Sequence, residues 1–391
     1  MDVDGFGALL GSEGQGLLQA LREYEAGDEL AVATRLRREH DAGLVGTALT
    51  QARLRQRGAA KFGADAGRMY FTADGVEQAT RTSVAAHRAG RFRAAGAERA
   101  ADLCGGVGGD AIALARAGLD VLAIDRDPLT CAVARANAES LGLADRIEVR
   151  CADVMTYAPR PGEALFVDPA RRTGRGRVFD PEAYSPPLSW AVAAARAGAP
   201  GAVKVAPGIP HEAVPDDAEA EWVSDGGDVK EAVLWFGTGR PGARRATLLP
   251  SGATLTGRGL PDPAVRPVGR YLYEPDGAVI RAHLVAEAAE EIDGGLIDPT
   301  IAYVTADAPR PTPYATGYEI TDVLPFHLKR LKALLRERGV GVLTVKKRGS
   351  AVQPEELRRR VRPQGPNAAT VFLTRVAGAP SMLVGRPLEG P

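Results

Sequence analysis

The sequence predicts an α/β chain built on a doubly wound, mostly parallel sheet, with helices before it and a smaller α+β unit after it. Two observations carry this expectation. From Arg99 onward, short apolar runs alternate with helical periodicity five times over. A strand followed by a helix, repeated, requires parallel pairing with crossover helices. After Pro210 the helices stop, and three strand candidates follow one another across Gly-rich turns, as expected where a parallel sheet ends in antiparallel strands.

The elements follow in chain order. Residues 1 to about 70 place Leu9, Leu10, Leu17, Leu18 and Leu21, then Leu30, Val32 and Leu36, then Leu44, Val45, Ala48, Leu49 and Ala52 at near-helical spacing, which predicts a helical cap. The basic run Arg53, Arg55, Arg57, Lys61 reads as a solvated helix face, with a nucleic-acid patch as the alternative. Residues 75–92 predict a helix leading into the sheet, with Thr80 or Thr82 as its N-cap. The sheet region then reads 100–104 strand, 110–118 helix, 121–125 strand, 128–142 helix with Pro128 in its first turn, 147–153 strand, 164–168 strand, 189–198 helix and 202–206 strand. Strands at 221–225, 229–237 and 244–250 close this region. A Pro/Gly-rich stretch at 257–269 reads as a linker or an exposed excursion. The last part predicts a helix at 279–294, strands at 300–306 and 341–349, a strand end and helix over 320–339, a helix at 354–363, and two terminal strands.

Charge and composition narrow the function. Lys plus Arg and Asp plus Glu are both 49, so the chain lacks the overall basicity of a protein that coats nucleic acid, though a local patch stays open. Three cysteines, Cys104, Cys131 and Cys151, make neither a disulfide framework nor a CxxC zinc site, which fits a reducing cytoplasm. No apolar run is long enough to span a bilayer, and MDVDGFG is not a signal peptide, so no membrane association is expected. His87, His211 and His283 are isolated, and no metal is expected.

The strongest local signal is the run Asp102 to Asp110, DLCGGVGGD, between a predicted strand and a predicted helix. Glycines let a backbone turn sharply and approach a ligand, and the helix start offers unpaired N–H groups. The glycines fall at 105, 106, 108 and 109, not at GxGxxG spacing, and Asp102 ahead of them suits a ligand with an amino group rather than a pyrophosphate. Asp125 ends the second strand 19 residues beyond Gly106, near the offset of a carboxylate that binds a ribose diol. Asp153 follows the third strand, where a carboxylate can accept from an adenine amino group; alone it would read as a turn residue or N-cap. Carboxylates at three consecutive strand ends point to a ligand rim. Asp168 ends the fourth strand, and Lys204 interrupts the apolar strand AVKVA, either reaching the cleft or snorkelling to an edge.

In order, DLCGGVGGD, AIDRDP, CAD and VDPARR resemble motifs I to IV of class I S-adenosylmethionine-dependent methyltransferases, most similar to the trimethylguanosine synthase and tRNA-guanine methyltransferase branches. The chain resembles a bacterial group in which this domain is followed by a THUMP-like one. The resemblance implies a Rossmann-like seven-stranded methyltransferase sheet, a helical N-terminal domain at 1–74, a methyltransferase domain at 75–256, a linker and connecting helix at 257–294, and a THUMP-like α+β domain at 295–391. It implies S-adenosylmethionine as cofactor, with Asp102 and Gly106 beside its methionine part, Asp125 on the ribose and Asp153 by the adenine. Cys104, Gly105, Gly108, Arg126 and Val154 complete the expected cofactor set. Gln78 and Thr80 resemble the segment that closes over the cofactor. Asp168 and Pro169 are the expected catalytic residues. The second proline and aromatic of the common amino-methylating motif are replaced by Ala170, Arg171 and Arg172, so the platform that stacks a base is absent and the two arginines are candidates to bind phosphate or stack. Lys346, Lys347 and Arg348, with the helix 354–363, are the expected contacts to RNA, either tRNA or rRNA. The expected activity is methylation of a base nitrogen in RNA. A small-metabolite methyltransferase and a non-catalytic RNA-binding protein are the alternatives.

Overall fold

The computed structural model describes residues 1–22, 26–170, 172–173, 176–177 and 180–388. The chain divides into two compact units, the first of Met1–Glu219 with Ala232–Gly242, the second of Ala220–Glu231 with Ala243–Pro391.

The first unit opens with helices α1 (Val3–Leu10), α2 (Ser12–Ala20), α3 (Glu29–Leu36), α4 (Ala42–Phe62), α5 (Ala73–Gln78) and α6 (Thr82–Ala94). Their starts are set locally: Asp2, Asp41 and Thr72 each accept a backbone N–H three residues on, satisfying a donor the helix leaves open. Helix α6 begins at Thr82 with Arg81 at its N-cap position and no side-chain cap, so neither Thr80 nor Thr82 plays the capping role expected of it. The sheet region follows as β1 (Arg99–Leu103), α7 (Gly109–Arg116), β2 (Asp120–Asp125), α8 (Pro128–Ser140), β3 (Ile147–Cys151), β4 (Ala164–Val167), the two-residue strands β5 (Arg172–Thr173) and β6 (Gly176–Arg177), α9 (Leu188–Arg196) and β7 (Gly201–Val205). Next come β8 (Glu219–Asp225) and β9 (Asp228–Phe236), which begins in the second unit and ends in the first.

In the first unit the strand order runs β9-β7-β4-β1-β2-β3. All pairs are parallel except β7 with β9. Parallel strands covered on both faces are apolar throughout rather than alternating, and β4 and β7 are buried at every residue. Helix α9 lies directly on β7: a Cβ at Gly201 would come within 1.8 Å of the Ala195 carbonyl oxygen. One core joins Phe6, Leu9, Leu49 and Phe71 of the N-terminal segment to Phe166 and Trp235 of the sheet. In the second unit, β10 (Arg244–Leu249) pairs parallel to β8 and β11 (Ala253–Thr256) antiparallel to β10.

The second unit continues with β12 (Tyr271–Pro275), α10 (Gly277–Arg281), α11 (Val285–Ile292), β13 (Gly295–Asp298), β14 (Ile301–Ala306), β15 (Ala315–Pro325), α12 (Leu328–Glu337), β16 (Val340–Lys347), α13 (Pro354–Val361), β17 (Asn367–Val376) and β18 (Ala379–Pro387). These strands form a seven-stranded sheet in the order β13-β14-β12-β15-β18-β17-β16. Two features differ from the sequence expectation. The segment 257–294, expected to hold a linker and a connecting helix, contains β12 just after the Pro/Gly-rich stretch, and β12 pairs with both β14 and β15. The helix expected over 279–294 is broken: His283 takes φ +58, and the Leu284 N–H turns back to the Val279 carbonyl, closing α10 before α11 begins.

Arg88 on α6 is 1% exposed and forms an ion pair with Asp110 on α7, its guanidinium 4.2 Å from the Phe166 ring centroid. Removing one partner of a buried pair strands the other charge. Arg88→Met should therefore lower the stability of the first unit by about 3–5 kcal/mol, measured as a fall in the urea midpoint. A change under about 1 kcal/mol, the range of an exposed pair, would contradict this account.

Candidate active site

The loop between β1 and α7 folds as a tight backbone cradle. Cys104, Gly106 and Gly108 all have positive φ, at 67°, 54° and 86°. The Cys104 and Gly105 N–H groups both donate to the Ile124 carbonyl, which pins the loop to the end of β2. Gly108 is the N-cap of α7. A Cβ at Gly106 would meet nothing within 4 Å, so the bare glycine faces open space with room for a ligand. Behind the loop, the buried Asn137 side chain donates to the Val107 and Tyr70 carbonyls and accepts from the Tyr70 N–H, so α8 and the N-terminal segment hold the cradle together.

Asp102 is fully buried, and neither of its carboxylate oxygens has a hydrogen-bond partner. Burial, then the neighbouring Asp110 and Asp168 carboxylates, push its pKa well above the usual carboxylate range, while Arg88 and Lys204 oppose the shift only in part. An orphaned buried acceptor of this kind fits a ligand that brings its own donor. Asp125 accepts from the Gly106 N–H through one oxygen and from the Asp127 N–H through the other, so it braces the cradle from β2. A carboxylate has lone pairs to spare after two such bonds. Arg126 is exposed beside it. Asp153 caps the short turn Val154–Thr156 by accepting from the Met155 N–H, and Val154 is buried under it. Burial and the Asp125 carboxylate push the Cys104 thiol up, away from the thiolate a nucleophile needs.

Asp168 follows β4, its N–H bonded to the Leu103 carbonyl of β1, so it stands on the same rim as the cradle. Its Oδ2 pairs with Lys204 Nζ at 2.6 Å, and Lys204 Nζ lies 3.0 Å from Thr80 Oγ1. Of the two orientations open to Lys204, the structure shows the inward one, with 4% exposure. Pro169 is buried, and Ala170 exchanges backbone hydrogen bonds with Ser185. Arg171 and the side chain of Arg172 lie outside the described residues.

The basic residues sort differently from their sequence pattern. In the second unit, Lys346 and Arg348 both lie against Glu274, and Lys347 bonds Gln353. In the first unit, the basic run of α4 is a set of struts. Arg53 pairs with Glu29, Arg55 donates to the Met69 carbonyl, Arg57 pairs with Glu77, and Lys61 donates to the Glu77 and Ala79 carbonyls. The exposed cations of α12, Lys329, Arg330, Lys332 and Arg336, form no motif that marks them in the sequence. Their signal is the spacing of Leu328, Leu331 and Leu335, which turns one helix face to the core and leaves the cations on the other.

Residues 97–187 match the family of RNA cap guanine-N2 methyltransferases, residues 315–387 match a THUMP domain-like family, and residues 2–58 match a domain of unknown function. The chain is 34% identical over 340 residues to an uncharacterized S-adenosylmethionine-dependent methyltransferase of Mycobacterium tuberculosis, covering 84% of this chain and 92% of the relative. A crystallised protein from Porphyromonas gingivalis W83, described as a methyltransferase, shares the fold with a TM-score of 0.74 over 94% of this chain and all of that one, at 20% identity. No helix among the described residues is long and apolar enough to cross a membrane.

The raised pKa of Asp102 has a measurable sign. The unfolded chain loses this proton near the ordinary value of 3.8, and the folded chain keeps it to much higher pH. Stability from this group is therefore complete below about pH 4 and declines as pH rises, by at most about 1.4 kcal/mol per pH unit. Asp102→Asn, neutral and of the same shape, should flatten the decline of folding stability between pH 5 and pH 8. Parallel urea titrations of wild type and variant give the comparison, and identical slopes would contradict the buried, protonated carboxylate.

Proposed function

The chain belongs to the S-adenosylmethionine-dependent methyltransferases, and from that premise we propose that it methylates a base nitrogen of RNA, in tRNA or rRNA. The observation that carries the reading is the Asp168 carboxylate: Oδ2 is tied to Lys204, and Oδ1 accepts no hydrogen bond among the described residues. An ionised carboxylate only accepts, so it suits a target that presents an N–H. Bound S-adenosylmethionine supplies an electrophilic methyl group on sulfur. Asp102, with its two orphaned oxygens, would hold the cofactor's amino group, and Asp125 would hold the ribose hydroxyls. Cys104, Gly105, Gly106 and Gly108 shape the turn that would lie beneath the cofactor, and Arg126, Asp153 and Val154 would flank its adenine. Asp168 accepts the N–H of the target, turns the nitrogen lone pair toward the methyl carbon, and takes the proton as the N–C bond forms and the sulfur–methyl bond breaks, its electron pair leaving on the sulfur as a thioether. Pro169 stiffens the turn behind it.

The match to RNA guanine-N2 methyltransferases over 97–187 and the THUMP domain-like match support RNA as the acceptor. The second unit supplies a surface of suitable charge. Lys329, Arg330, Lys332 and Arg336 of α12, with Arg359 and Arg362 at α13, are exposed and have no ion-pair partner among the described residues. These cations, rather than Lys346 and Arg348 against Glu274, are free to contact phosphates.

Tritium transfer from S-adenosylmethionine to total RNA of a strain lacking the gene, followed by nucleoside analysis, tests the activity. An unlabelled RNA pool with folded, cofactor-binding protein would reject it. Asp168→Ala should lower turnover by about 10²-fold or more while cofactor affinity, measured by calorimetry, changes little. Reversing charge at Lys329, Lys332 and Arg336 should weaken RNA binding and reduce the slope of log affinity against log salt by roughly two, at about 0.7 for each phosphate that is no longer neutralised. An unaltered slope would remove α12 from the interface.

A further inference from the structure

We propose that the N-terminal helices serve methyl transfer by holding Lys204, through Thr80, against Asp168; the inference rests on the reading of Asp168 given above. Lys204 sits within β7, a strand buried at every residue, where an ammonium persists only with partners. Two of its three donors are engaged, at 2.6 Å with Asp168 Oδ2 and at 3.0 Å with Thr80 Oγ1. Thr80 is 124 residues away in sequence, in the extended segment between α5 and α6.

Helix α4 clamps that segment from both sides of Thr80. Lys61 Nζ donates to the Ala79 carbonyl at 2.7 Å and to the Glu77 carbonyl at 2.5 Å. Arg57 pairs with Glu77 at 2.8 Å, and Arg81 donates to the Ala60 carbonyl at 2.8 Å. The backbone bearing the Thr80 hydroxyl is thus fixed on each side. The order of contact is α4, segment 77–81, Thr80, Lys204, Asp168.

The consequence at the rim is directional. A strand-end carboxylate is otherwise free to rotate about its side-chain torsions. With Oδ2 held, Oδ1 is left aimed in one direction, and a nucleophile aligned by Oδ1 inherits that aim. Misplacement by about 1 Å is enough to lose roughly 10²-fold in rate. Lys204, Thr80 and Lys61 are therefore positioning residues, and the region bearing α4, which includes the domain of unknown function at 2–58, acquires a role in the reaction.

The test uses the full-length chain, tritiated S-adenosylmethionine and total RNA from a strain lacking the gene. Thr80→Val removes the hydroxyl and keeps the shape. It should lower kcat by about 10- to 100-fold with the KM for S-adenosylmethionine and the melting temperature nearly unchanged. Thr80→Ser should recover most of the loss, and Lys61→Met should lower kcat in the same direction. Asp168→Ala runs in the same assay: an active Asp168→Ala rejects the reading of Asp168 and the inference with it, whereas an inactive Asp168→Ala beside a fully active Thr80→Val overturns the inference alone. Joint loss of turnover and cofactor binding in Thr80→Val would make the contact merely structural and also overturn it. If wild type labels no RNA, a second measurement decides. The rate at which an amine-directed reagent modifies Lys204, followed by mass spectrometry with S-adenosylhomocysteine present, should rise several-fold in Thr80→Val and Lys61→Met but not in Thr80→Ser. Equal rates in all four proteins would overturn the inference.

Discussion

Beneath the strand ends of the first unit, three carboxylates share the interior with two cations. Arg88 is committed to Asp110 and Lys204 to Asp168. Asp102 is left without a counter-ion, and burial with the neighbouring Asp110 and Asp168 carboxylates raises its pKa. In a low-dielectric interior such an imbalance is costly, and it is tolerated where a ligand redresses it. The glycine cradle, the brace from Asp125 and the buried Asn137 contacts all keep the backbone around this carboxylate in one geometry.

The sheet and the rim were legible because both follow from periodicity and from position at strand ends. Asp102, Asp125 and Asp168 each stand where a parallel strand finishes, and parallel strands bring their ends to one side whatever their separation in the chain. Contacts made by side chains from distant segments leave no such trace. Thr80 looks like a helix cap in the sequence, and its bond to Lys204 joins residues 124 apart in the chain. Strand β12 was hidden by its length, five residues ending in Pro275, directly after a stretch rich in Pro and Gly.

Charge was the least legible property. A run of like charges states nothing about the acids that fold against it. The arginines and lysine of α4 pair with carbonyls and glutamates of their own unit, Arg53 and Arg57 from the solvated face expected of the helix. Lys346 and Arg348 converge on Glu274, with the Lys346 ammonium and Arg348 guanidinium 5.5 Å and 5.4 Å from the rings of Tyr318 and Tyr303. The leucine spacing of α12 does mark which of its cations are exposed, because an amphipathic helix exposes whatever it does not bury.

The division of the chain into units is interleaved. The second unit begins at Ala220, the first resumes at Ala232 within β9, and the second takes over again at Ala243. No single cut in the chain yields both units whole. A chain ending at Gly242 would keep Ala220–Glu231 of the second unit without the rest of it, and one starting at Ala243 would lack that stretch, so each unit is complete only in the full chain.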